Sequence, residues 1–190
     1  MKKGYNFLSF KSVVIFLIAI FIFLFVYQFI LQEGWESEFT KKLEAAGISC
    51  LKEGHENLKQ HIHPHLDILI DGEPLEIPAD IGVSEKCLPE IHTHKADGKI
   101  NIESSDAKKT FTLGQFFAVW EVPFSSSRIS DRVTDSNYEI KMTVNGLENN
   151  EFEKLILADE QKIVISYQKR EEGQEVKTTE DVIILEGESN

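Results

Sequence analysis

Five of the six histidines in this sequence fall in two short runs, HIHPH at 61–65 and HTH at 92–94. In each run the imidazoles occupy alternate positions. On an extended strand alternate side chains share one face, about 6.6 to 7 Å apart, so His61, His63 and His65 form one row and His92 with His94 a second. Two neighbouring strands carrying these rows would bring four or five ring nitrogens together. That donor set suits zinc, copper, iron or nickel and, by affinity order alone, copper first. His63, His65, His92 and His94 are the leading metal-ligand candidates, and His61, where the incoming loop meets the strand, is the fifth. Asp67 continues the first row and can orient a ligating imidazole by accepting its second N–H. Glu90 and Glu103 are near enough in sequence to do the same, or to act as a general base. His55 stands apart and is expected to be solvated. A competing explanation is that a half-exposed strand places ordinary polar residues opposite its apolar face.

Strands must carry these rows. HIHPHLDILIDGEPLEIP alternates, with Ile62, Leu66, Ile68 and Ile70 on the core side, and Asp71-Gly72 is a two-residue hairpin turn returning the chain through Leu75 and Ile77 to Pro78. Pro64 has no N–H for the ladder and predicts an edge or bulge. Short strands are expected at 90–94 and 98–104, the latter with Ile100 and Ile102 inward. Thr112 is placed to cap a helix over LGQFFAVW, whose Leu113, Phe116, Phe117 and Trp120 would plug the core. Residues 124–137 read as a connecting loop. YEIKMTV, an Asn145-Gly146 turn, KIVISYQK and DVIILE read as antiparallel strands, and LDILIDG and IKMTVNG are built alike. The expected fold is α+β, a mainly antiparallel β domain with one core helix over residues 61–190, divisible into 61–123 and 138–190.

Ahead of that domain, residues 13–31 read VVIFLIAIFIFLFVYQFIL, without a charge and long enough to cross a hydrocarbon core of about 30 Å. The run is too long for a cleaved signal peptide's apolar region, and no small-x-small cleavage site follows. It is expected to be an uncleaved transmembrane anchor embedded in lipid. Lys2, Lys3 and Lys11 precede it and Glu33, Glu36 and Glu38 follow, so residues 1–12 are expected in the cytoplasm and everything after residue 31 outside. Residues 32–60 read as a helical stalk, with Trp35, Phe39, Leu43 and Ala46 on one stripe.

Once the three lysines before the anchor are set aside, 17 bases face 32 acids, a net charge of −15 that excludes nucleic acid and anionic lipid headgroups as partners. Cys50 and Cys87 both lie beyond the anchor, where thiols oxidise. A disulfide is expected, and metal ligation by one or both thiolates is the alternative. There is no Asn-x-Ser/Thr sequon, no glycine-rich phosphate loop and no Gly-x-Ser-x-Gly turn.

In order along the chain, HIHPHLDILIDG, IPADIGV, Cys87, IHTH, GKINIES, FTLGQFFAVW and TVNG resemble the motifs of a family of membrane-anchored exported proteins of archaea and bacteria, over residues 60–168. The resemblance implies an anchored extracytoplasmic domain and brings no established activity. Members of the family tend to carry an acidic residue after HTH and a histidine in the GxIHIES stretch. This chain has Lys95 and Asn101 there, which reduces any ligand role at 101 to an amide contact.

Three functions fit these features. The first is a membrane-anchored copper-binding module, with zinc or iron as alternatives, that buffers the metal or passes it to a membrane metalloenzyme. The second is a metal-dependent hydrolase or oxygenase in which three histidines leave a coordination position for water and Glu90 or Asp67 is the base. The third is an accessory subunit of a membrane complex, its histidines satisfied by hydrogen bonds.

Overall fold

The computed structural model describes residues 10–51, 55 and 57–170, without the side chains of 10, 11 and 32–37. The strand expected at DVIILE and the side chain of Trp35 lie outside those residues. The chain forms two compact units, Met1–Lys42 and Leu43–Asn190.

The first unit is most of one long helix, α1 (Phe10–Ala45). Its segment Ser12–Leu31 is long and apolar enough to cross a membrane, and its side chains are exposed. The helix stops well short of residue 60. Gly47, at φ +74°, donates its N–H to Glu44 O at 2.9 Å, and Ile48 donates to Leu43 O at 2.8 Å. These are the two bonds of a Schellman cap, and the paired apolar side chains that accompany such a cap are Leu43 and Ile48, both buried.

In the second unit the HIHPH segment divides. β1 (Gln60–Ile62) and β2 (His65–Ile70) belong to different sheets, whereas the alternation predicts one continuous strand. Pro64 is the reason. It has no N–H to give a ladder, its carbonyl accepts from Ile100 N at 2.9 Å, and the flanking N–H groups of His63 and His65 are taken by Asp159 Oδ1 and Gln161 O. The imidazoles of the run are thereby split between two surfaces.

β2 turns at Asp71-Gly72, both at positive φ as a tight hairpin requires, into β3 (Glu73–Leu75). β4 (Ile91–His92) and β5 (Asn101–Ser104) follow. Next comes α2 (Leu113–Trp120), whose N-cap Thr112 and Gln115 form a reciprocal capping box. The segment 124–137, expected as a loop, is a three-stranded meander of β6 (Phe124–Ser125), β7 (Arg128–Ile129) and β8 (Arg132–Val133). Its two-residue strands are too short to show an alternation. β9 (Tyr138–Val144), β10 (Leu147–Glu148) and β11 (Lys162–Lys169) complete the unit.

The larger sheet has the order β10-β9-β11-β2-β3 and the smaller β1-β5-β4. Every described pairing of named strands is antiparallel except β11 with β2, which run parallel from Lys162↔His65 to Tyr167↔Ile70. Leu66, Ile68, Ile163 and Ile165 of the larger sheet, Ile91, Ile100 and Ile102 on or beside the smaller, and Phe111, Leu113, Phe116 and Phe117 at the helix are almost fully buried.

The segment entering this unit is laced to the chain ahead of β4. Cys50 and Cys87 form a disulfide, Leu51 N donates to Leu88 O and Glu90 N to Ser49 O. With a sequence separation of 37, the bridge closes a loop whose entropy in the unfolded chain is worth about 4 kcal/mol. Reduction, or Cys50→Ser with Cys87→Ser, is expected to lower unfolding free energy by about 2 to 4 kcal/mol in urea titrations. An unchanged midpoint would show that the hydrogen bonds around the bridge hold the segment without it.

Candidate metal centre

The smaller sheet sorts its residues by register. His61 pairs with Glu103 and His92 with Asn101, while Ile62 and Ile91 both pair with Ile102. Residues directly opposite across a ladder point to the same face. One face therefore carries His61, Glu103, Asn101 and His92, and the other carries Ile62, Ile91 and Ile102 with Gln60 and Ser104 at one end. The polar face is not the solvated back of a strand: Glu103 is 1 % exposed, His92 0 % and Asn101 6 %.

His92 is fixed by its inner nitrogen. Nδ1 lies 2.8 Å from the carbonyl of Pro89, which can only accept, so Nδ1 carries the proton and Nε2 a free lone pair. That lone pair meets His94 Nε2 at 3.0 Å. Burial pushes the His92 pKa down to about 4, against the Pro89 hydrogen bond, which raises it; the neighbouring His94 lowers it further. The ring is neutral at neutral pH, the protonation state a metal ligand needs.

Next to this pair stands the buried carboxylate. Glu103 Oε2 is 2.6 Å from His55 Nδ1 and Oε1 is 3.1 Å from His61 Nε2. The rings of His55 and His94 are 5.4 Å apart, and those of His55 and His92 6.1 Å. His55, His94 and Glu103 each offer a ligand atom within 4.8 Å of the others. Two ligands bound side by side to one ion at about 2.0 to 2.1 Å lie about 3 Å apart. The contacts of His92 with His94 and of Glu103 with each of its imidazoles are of that size.

The sequence-derived candidates separate accordingly. His92 and His94 come together, and Glu103 joins them through His55. His61 touches the far oxygen of Glu103, and its ring lies 4.5 Å from that of His63. The His63 pKa is lowered by burial and, next, by the Lys99 ammonium. His65 is turned elsewhere: its Nε2 meets Asp67 Oδ1 at 3.3 Å, and among the described residues no contact joins it to another imidazole. Asp67 thus supports a histidine outside the cluster. Glu90, although 5 % exposed, accepts from Ser49 N, Ser104 Oγ and Lys109 Nζ, and among the described contacts none joins it to a histidine. His55, expected to be solvated, is half exposed but holds Glu103. It lies outside any alternating run, and only the path of the chain after the disulfide brings it here.

The state of His92 has a thermodynamic consequence. Between pH 6.5 and 4 the unfolded chain takes up a proton that the native imidazole refuses, so native stability falls as pH falls through this window, by up to about 3 kcal/mol from this residue. In an NMR titration the His92 ring resonances are expected to show no midpoint above pH 5, and a midpoint near 6.5 would mean that the ring is hydrated rather than buried. Comparison with protein-family models, with curated proteins and with solved structures finds no match for this chain.

Proposed function

We propose that this protein is a membrane-anchored, extracytoplasmic transition-metal-binding protein that buffers an ion or delivers it to a membrane metalloenzyme. His55, His92, His94 and Glu103 are its ligands. The observation that carries this reading is the paired Nε2 atoms of His92 and His94, 3.0 Å apart, with the His92 lone pair aimed inward by the Pro89 carbonyl. Such backbone orientation of a ligating imidazole is the usual support of a metal site. Because both cysteines are in the disulfide, no thiolate competes. Nitrogen and oxygen donors favour Cu(II) first by affinity, with Zn(II) or Fe(II) as alternatives.

The location belongs to the same proposal. The basic residues before the apolar segment keep residues 1–12 inside, α1 beyond Leu31 acts as the start of a stalk, and the disulfide suits an oxidising compartment. A second reading is supported by the ligand types. His55, His94 and Glu103 alone make two histidines and one carboxylate, the set of non-haem iron oxygenases, and turnover of a phenol or ester by the metal-loaded protein would favour catalysis over carriage.

Titrating tag-free full-length protein in detergent micelles with Cu(II) and Zn(II) tests the proposal. Tight binding of at least one equivalent is expected. It should weaken as pH falls, because protons compete with the ion for the imidazole nitrogens. His92→Ala with His94→Ala should reduce affinity more than about 100-fold, and Glu103→Gln about 10- to 100-fold. Unchanged affinity in the double variant, with its circular dichroism retained, would defeat the reading.

A further inference from the structure

Glu103 presents an imidazole to each of its two oxygens, and only one of those oxygens faces the ligand set just described. We infer that a second metal ion sits on the other oxygen, held by His61 and His63, so that the Glu103 carboxylate bridges two ions. This inference rests on the metal-binding reading and extends it from one ion to two.

On the second side one donor contact is of the size seen on the first, and a second imidazole stands beside it. Glu103 Oε1 lies 3.1 Å from His61 Nε2, a separation suited to two donors on one ion. The His61 and His63 rings are 4.5 Å apart, the same distance as His92 and His94. The His63 backbone is held by the Asp159 carboxylate, whose Oδ1 accepts its N–H at 2.8 Å, which brings a second acid beside this pair. The charge balance also asks for cations. Glu103 is almost fully buried, and its described side-chain partners are imidazoles alone. A carboxylate removed from water needs positive charge or several hydrogen bonds beside it. An ion on each oxygen supplies that charge, and carboxylate-bridged pairs stand about 3.5 to 4 Å apart.

The two positions are not equivalent. His61 is half exposed, whereas His92 is fully buried. Loading should therefore be stepwise, the His55, His92 and His94 side first.

The test uses full-length protein in micelles with Cu(II) or Zn(II) alone. Two ions per chain are expected by elemental analysis, binding in two resolved steps. With Cu(II), the integrated electron paramagnetic resonance intensity should grow with the first equivalent and fall below two spins with the second, because bridged ions couple. His61→Ala with His63→Ala should keep the first step and abolish the second. Saturation at one ion, a second ion retained in the His61/His63 variant, or two uncoupled spins would each overturn the bridge while the single-ion reading stands. Failure to bind any ion would remove both.

Discussion

A buried carboxylate with imidazoles on either side is the constraint around which the smaller sheet is organised. Glu103 lies on the middle strand of three, so its side chain cannot reach past an edge to water. Ile102, its neighbour, faces an apolar layer on the opposite side. A strand buried on both faces is ordinarily apolar throughout. β5 instead reads Asn-Ile-Glu-Ser, all four residues buried. Leaving such groups without partners costs about 1 to 3 kcal/mol each, and more for a charged one, so the surrounding chain has to deliver donors to that face. It does so from three directions: His61 by strand register, His92 and His94 from β4 and its continuation, and His55 from the segment after Cys50.

The disulfide and the proline make those deliveries possible. Cys50–Cys87 and the backbone bonds between 49–51 and 87–90 fix where the chain leaves toward His55 and where it enters β4. Pro64 then ends β1 and sends the chain into the larger sheet, so that His61 and His63 remain with Glu103 while His65 departs. In the larger sheet, the hairpins that follow LDILI and IKMTV flank β11 on opposite sides, one parallel to it and one antiparallel. Similar sequences thus occupy related positions about a central strand. Gly98 locks the two sheets together: it adopts φ +78°, a Cβ there would lie 2.4 Å from Leu66 O, and its own carbonyl accepts from Leu66 N.

Local chemistry was legible in the sequence where it is local in cause. The Asp71-Gly72 and Asn145-Gly146 turns, the Thr112 cap, the inward Ile100 and Ile102, and the Cys50–Cys87 pairing follow from neighbours or from a choice of two cysteines. The alternation that marked the histidines also marked the right face of β5. It failed at Pro64, because a missing N–H was read as an edge or bulge in one strand rather than as the boundary of two. It failed at His55, because no periodicity marks a residue brought in by a disulfide. The parallel pairing of β11 with β2 is non-local, and strand composition is the same for either direction.

Glu90 and Glu103 show why acid residues near a histidine cluster cannot be ranked by sequence distance. Both are buried, and the backbone N–H of Glu103 bonds to the carbonyl of Glu90. Glu90 meets an ammonium, a hydroxyl and a backbone N–H, which together satisfy an ionised carboxylate without further help. Glu103 meets imidazoles, whose charge depends on pH and whose nitrogens also bind metals. The same side chain, just ahead of β4 in one case and on β5 in the other, is therefore a structural ion pair at one position and a chemically open group at the other. The difference is made by Lys109 reaching Glu90, and no lysine or arginine takes that place at Glu103 among the described residues.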